Sequence, residues 1–145
     1  MLFRSPFDGR RESAIGFASP LPRFEVRNSL VTGYHDDEVV WSTPKEEDAF
    51  NFLFDHCVLR TEKLETDDSL KFTHVVYEDI KDTTVFAEKH FRLFDTDNLK
   101  YDFHLRKESA AIGKADAETL PATDRDGLPR KKEQPAAGCF EYREE

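Results

Sequence analysis

Glycine and proline are missing from the middle of this 145-residue chain: all six glycines and six of the seven prolines lie before residue 34 or after residue 112. Because these residues punctuate turns and irregular chain, the sequence divides into an extended N-terminal arm (1–22), a core domain (23–108) and an extended, Pro/Gly/charged C-terminal arm (109–145). Cysteine is also scarce. Cys57 and Cys139 are too few for a secreted disulfide framework and form no C-x-x-C pair, so a reducing, intracellular setting is expected. No apolar run approaches the roughly 20 residues that cross a bilayer, and the N-terminus has no apolar signal core. A membrane span is therefore not expected. Arg4, Arg10 and Arg11 give the N-terminus a faint likeness to a mitochondrial presequence, which Asp8 and Glu12 spoil.

Positive charge is short as well, with 21 Lys/Arg against 30 Asp/Glu and a net charge of −9. That balance argues against direct nucleic-acid binding, because affinity for phosphate comes from cations that release counterions. An anionic partner would have to meet a local basic patch. Residues 28–105 hold 8 Lys/Arg against 18 Asp/Glu, whereas residues 106–145 hold 8 against 9, with a basic knot at Pro129-Arg130-Lys131-Lys132. The acid sits on the core.

What the chain does have is aromatic content, with 13 Phe in a composition that is 38% hydrophobic. Thr43, Pro44 and Glu46 read as a helix N-cap, first-turn proline and capping box. Phe50, Leu53, Phe54, Cys57 and Val58 then repeat at i, i+3, i+4, i+7 and i+8. This predicts a helix from 44 to about 61. Residues 71–80, 84–94 and 99–107 read as strands, with 23–27 and 37–42 as further short ones. The expected fold is α+β: one long amphipathic helix on a mostly antiparallel sheet of about four or five strands. No internal repeat is evident.

Residues 90–105, HFRLFDTDNLKYDFHL, predict a hairpin. A three-residue loop at Thr96-Asp97-Asn98 pairs residue 95 with 99, places Arg92 opposite Asp102 and Glu88 opposite Arg106, and sets His90 opposite His104. A similar loop at 81–83 would bring His74 opposite His90. His74, His90, Arg92, Asp102 and His104 thus form a candidate ligand face, read as a solvated or hydrogen-bonded histidine row rather than a zinc site. Calcium is excluded because Lys100 and Arg106 stand where an EF-hand loop needs Gly and Glu. No metal and no cofactor are expected.

Catalytic patterns are thin. There is no G-x-S-x-G, H-E-x-x-H, Walker or G-x-G-x-x-G motif. Cys57 beside His56 reads as an inert core thiol on the buried helix stripe, and His35-Asp36-Asp37-Glu38 as a solvated acidic turn. The arms are richer: Phe3, Phe7, Arg10, Arg11, Phe17, Pro20 and Pro22 at one end, and Phe140 and Tyr142 at the other, suit grooves on a partner. The favoured function is a non-catalytic structural or assembly subunit that joins other protein subunits in a hetero-complex through these arms. One alternative is an acidic inhibitor or immunity-type protein that masks a basic surface. A second is a small enzyme or ligand binder that uses the histidine-bearing sheet face.

Overall fold

The computed structural model describes residues 13–18, 20–33, 37–42, 49–63, 71–79, 81–82 and 86–144. Its strands wind into a parallel coil. The first turn holds β1 (Ile15–Phe17), β2 (Leu21–Arg27) and β3 (Leu30–Val31). The second holds β4 (Val39–Trp41), β5 (Phe50–Asp55) and β6 (Val58–Leu59), and the third holds β7 (Phe72–Thr73) and β8 (Val76–Tyr77). Strands pair in parallel with their counterparts one turn away and form three sheets: β1 with β4 in the first, β2 with β5 and β5 with β7 in the second, and β3 with β6 and β6 with β8 in the third. This is a short β-solenoid.

The expected helix on an antiparallel sheet is therefore corrected. Its interval contains β5 and β6, and its capping residues 43–48 lie outside the described residues. Among the described residues the sole helical element is one 3-10 turn, Phe86–Lys89, which falls inside an expected strand. The apolar residues of 50–58 fit a helical stripe, but Phe50, Phe52 and Phe54 also alternate, and aromatic side chains favour the pleated surface. Strands with both faces buried read as near-continuous apolar runs, which hides the period of two. The coil repeats in structure without a repeat in sequence. Leu30, Val58 and Val76 are in register, but the chain advances 28 residues for one turn and 18 for the next.

One corner recurs in every turn. Asn28, His56 and His74 link the second sheet to the third with φ of 51°, 52° and 52°. Asn and His enter this left-handed region more readily than most residues. The chain bends there, so alternation on the two sides of the corner aims at the same interior.

That interior is aromatic. Phe54 stacks on Phe72 at 5.5 Å between centroids and Phe17 on Trp41 at 5.8 Å, with Val31, Leu59 and Cys57 packed alongside. The outer face of the third sheet is apolar as well. Leu30 and Val58 there are buried beneath Leu105, Ala111, Ala115, Ala136 and Ala137. Residues 109–144 thus lie on the coil as a second layer, while residues 15–17, inside the expected N-terminal arm, form β1.

The overlying segment is fixed by polar bonds rather than by regular structure. Asn28 Oδ1 accepts from the Asp116 N–H (2.7 Å), its Nδ2 donates to Thr119 Oγ1 (2.9 Å) and its carbonyl accepts from the Gly138 N–H (2.8 Å). Gly138 adopts a φ of 103°, a conformation that residues with a side chain rarely take. Buried Asp124 accepts from the N–H groups of Asp126, Leu128 and Glu141 and from Arg143. Arg130 donates to the carbonyls of Ala136, Gly138 and Cys139.

The hairpin exists with a different register. β9 (Phe91–Asp95) and β10 (Lys100–Leu105) pair Asp95 with Lys100, Phe94 with Tyr101 and Leu93 with Asp102, then shift to pair Phe91 with Leu105. Asp95 accepts from the N–H groups of Asp97 and Asn98 and from Asn98 Nδ2, and Leu99, not Asn98, takes the left-handed position at φ 55°. Exposed cross-strand charge pairs contribute only tenths of a kcal/mol, too little to hold the expected register against this turn and the burial of His90.

Asn28 joins coil to overlay, so Asn28→Ala is expected to cost about 2–4 kcal/mol, from left-handed strain and lost buried hydrogen bonds. His74→Asn keeps a tolerant corner residue at an exposed position and is expected to change stability by less than about 1 kcal/mol. Urea denaturation of the two variants checks the contrast.

Candidate functional site

The three histidines of the expected row separate. His74 sits at the exposed corner of the third coil turn; His90 has no exposed surface; His104 lies in β10. The hairpin shift takes His90 away from His104, and Arg92 away from its expected place opposite Asp102.

At the corner, Asp55 is the hub. Its Oδ1 accepts from Thr73 Oγ1 (2.7 Å) and lies 3.0 Å from His56 Nδ1 and 3.1 Å from His74 Nδ1. Its Oδ2 accepts from Arg27 Nη1 at 2.8 Å. Burial raises the Asp55 carboxyl pKa, but the bonds from Thr73, His74 and His56 outweigh it and hold the group below its ordinary value. Arg27, Asp55 and Thr73 are register partners on three successive strands, which is why their side chains line up. Behind them Cys57 is fully buried, and burial pushes its thiol up to about 11. It is a core thiol held by the coil interior rather than by a helix stripe.

His90 belongs to a buried network. Its Nε2 bonds Glu78 Oε1 and its Nδ1 lies 3.0 Å from Ser109 Oγ. Glu78 Oε2 accepts from Thr32 Oγ1 (3.0 Å), and Lys89 Nζ is 3.5 Å from Oε1. Acid, imidazole and hydroxyl in this order have the connectivity of a nucleophile relay. However, Ser109 is buried and its oxygen accepts the Ala111 N–H. The network ties the end of β8 to the start of the overlying segment.

His104 is gripped by two acids, with Nδ1 2.5 Å from Asp102 and Nε2 2.8 Å from Asp126. Asp126 first, then Asp102, hold its pKa above the ordinary histidine value against partial burial. Phe140 stacks on its ring at 4.1 Å.

Arg92 and Tyr142, expected in different roles, meet in one cleft of about 390 Å³, lined also by Leu105, Arg106, Lys107, Glu108 and Arg143. Arg106 Nη1 donates to the Glu88 carbonyl (3.2 Å) and Arg143 Nη2 to the Pro129 carbonyl (2.8 Å). Lys131, from the basic knot, lies 5.5 Å from the Tyr142 ring centre. Sequence reasoning missed Arg106, Lys107 and Arg143 as one group. The signal available was only that cations are denser after residue 105.

The other expected residues are dispersed. Phe17 packs in the coil interior, Pro20 is exposed, and exposed Pro22 lies in β2 with its carbonyl accepting from Asn51 Nδ2. Phe3, Phe7, Arg10 and Arg11 lie outside the described residues. In the acidic turn, Glu38 is buried and accepts the Ala14 N–H (2.8 Å), and Asp37 accepts from Thr61 Oγ1 and the Glu62 N–H. These two acids are structural.

Comparison with protein-family models, curated proteins and solved structures gives no match to the chain. Among the described residues no helix is long and apolar enough to cross a membrane.

Burial raises the Glu78 pKa, but His90, Lys89 and Thr32 together hold it below the ordinary carboxylate value. A carboxylate with a depressed folded pKa stabilises the fold above its unfolded pKa and loses that contribution as pH falls through the folded one. Wild type is therefore expected to exceed Glu78→Gln in stability at neutral pH, and the gap is expected to close as pH falls below the ordinary carboxylate value near about 4 toward the lower folded value. Denaturant titrations of both proteins across that range measure it.

Proposed function

We propose that this chain is a non-catalytic binding protein that takes an acidic segment of a partner protein into the cleft around Tyr142. The observation that carries this reading is a local inversion of charge. Four cations, Arg92, Arg106, Lys107 and Arg143, line one cleft with Glu108, in a chain whose net charge is −9; Glu108 lies 3.8 Å from Lys107 and Asp124 3.2 Å from Arg143, so the cations still outnumber the acids paired with them. Arg106 is anchored partly by a backbone carbonyl, which fixes its guanidinium without cancelling its charge, whereas Arg143 is held by the Pro129 carbonyl and by the buried Asp124 carboxylate. Such preorganisation limits the side-chain ordering that binding would otherwise require. Guanidinium forks pair well with carboxylates, and Leu105 and Tyr142 add apolar wall to the site.

A non-catalytic role agrees with the placement of the relay-like set of side chains. Glu78, His90 and Ser109 are buried and already bonded to one another and to the backbone. The partner remains a protein, as the arms suggested, but the contact invoked is the cleft between hairpin and C-terminal segment.

Fluorescence anisotropy with a labelled oligoglutamate peptide tests the proposal. Binding is expected to weaken with added salt, as contacts between exposed charges are screened. The double variant Arg92→Gln, Lys107→Gln is expected to bind at least roughly tenfold more weakly, since bonds to charged groups contribute about 1.5–3 kcal/mol each. Equal affinity in wild type and variant, or binding of inorganic phosphate with no binding of the peptide, would overturn it.

A further inference from the structure

The coil corner carries a feature that the cleft reading does not use. His56 and His74 occupy equivalent positions in successive turns, and their rings stack with centroids 4.2 Å apart and planes 23° apart. Stacking in this way aims both Nδ1 atoms at one oxygen, Asp55 Oδ1, at 3.0 Å and 3.1 Å. One ligand atom from each of Asp55, His56 and His74 lies within 4.8 Å of the other two. From these positions we infer that the corner is a binding site for a divalent transition-metal ion, with zinc as the representative ion, held by His56 Nδ1, His74 Nδ1 and Asp55 Oδ1.

The distances are close to what such an ion requires, and one of the two stacked rings must turn about its Cβ–Cγ bond so that the ion lies in both ring planes. Zinc binds imidazole nitrogen and carboxylate oxygen at about 2.0–2.2 Å, so ligand atoms in a tetrahedral site stand roughly 3.3 Å apart. The two N···O separations need open by only a few tenths of an ångström. Two imidazoles and one carboxylate leave a fourth position for water, the arrangement of an open site. His74 is 69% exposed and His56 25%, so an ion has access from solvent, while Asp55 at 12% is held in place.

The surroundings supply the orienting partners that metal ligands usually have. Arg27 Nη1 grips Asp55 Oδ2 at 2.8 Å and leaves Oδ1 turned toward the imidazoles. Thr73 Oγ1 donates to Oδ1 from the next strand. The φ near 52° at both histidines fixes the backbone from which each ring projects. A second acid, Asp116, is tethered to the same corner through its N–H to Asn28 Oδ1.

The first turn shows why two turns and not three make the site. Asn28 holds the equivalent corner and spends its side chain on Asp116 and Thr119. Asn is therefore the substitution that keeps the corner and removes the ligand. The mixed nitrogen and oxygen donor set favours zinc, cobalt, nickel or copper over calcium or magnesium. Neither cleft residues nor Glu78, His90 and Ser109 are involved, so this site stands or falls separately from the binding role proposed above.

The full chain, freed of metal with a chelator, would be titrated with Zn²⁺ by calorimetry and with Co²⁺ by visible absorption, alongside H56N, H74N and H104N. One Zn²⁺ per chain and a cobalt d–d band are expected for wild type and H104N. Loss of a ligand should cost at least the roughly 10–100-fold seen for lost orienting partners, so H74N is expected to bind at least tenfold more weakly and to lose the band. Circular dichroism matching wild type certifies that H74N is folded, and its exposed position keeps it informative if H56N fails to fold. Absence of stoichiometric binding by folded wild type, or unchanged affinity in folded H74N, would overturn the assignment.

Discussion

The third sheet has no polar face, and the rest of the structure follows from that constraint. β3, β6 and β8 are two residues long, and of each pair one side chain points into the coil and the other out. Val31 and Leu59 meet the aromatic interior, whereas Leu30 and Val58 need cover from outside. Burying an apolar side chain stabilises a fold by about 1.5–3 kcal/mol, so leaving that outer row in water would forfeit several such contributions in a coil of three turns. The C-terminal segment supplies the cover with alanines, whose small size lets backbone approach backbone: the Ala137 N–H reaches the Ala111 carbonyl at 2.8 Å and the Gly138 N–H reaches the Asn28 carbonyl at 2.8 Å.

The sites are consequences of this arrangement. Parallel register repeats each corner one turn away, so His56 and His74 must stack and Arg27, Asp55 and Thr73 must align. The overlay begins where β10 ends, so Arg106, Lys107 and Glu108 fall at the junction with the C-terminal Tyr142 and Arg143, and the cleft forms there. The Glu78–His90–Ser109 network secures the same junction from beneath. Coil, overlay and cleft are thus joined at one place.

Much of the local structure was legible in the sequence. Phe24 and Val26 alternate inside β2, Val39–Trp41 falls within its expected strand, and the apolar alternation of residues 99–105 marks β10. What failed was long range. Phe50, Leu53, Phe54, Cys57 and Val58 satisfy a helical period, and only the partners Val26 and Phe72 on either side of Phe54 select the strand. KFTHVVYEDI reads as one strand because the left-handed turn at His74 leaves no Gly or Pro as a marker. Parallel order was hidden because the first two turns differ by ten residues in length, which erases any fixed sequence period. The cleft was unreadable for the same reason: Arg92 and Arg143 are far apart in sequence, and the overlay that joins them is built from side-chain bonds of Asp124, Arg130 and Glu141 rather than from any periodic pattern.

If the outer row of the third sheet holds coil and overlay together, their backbone hydrogen bonds open together. Native-state hydrogen exchange compares the amides of Val58 and Val76, bonded to Ser29 and Cys57 within the coil, with those of Ala137, bonded to Ala111 within the overlay, and Gly138, bonded to Asn28 between overlay and coil. The account predicts one common opening free energy for all four, equal to that of global unfolding. Fast exchange at Ala137 and Gly138 while Val58 and Val76 stay protected would contradict it.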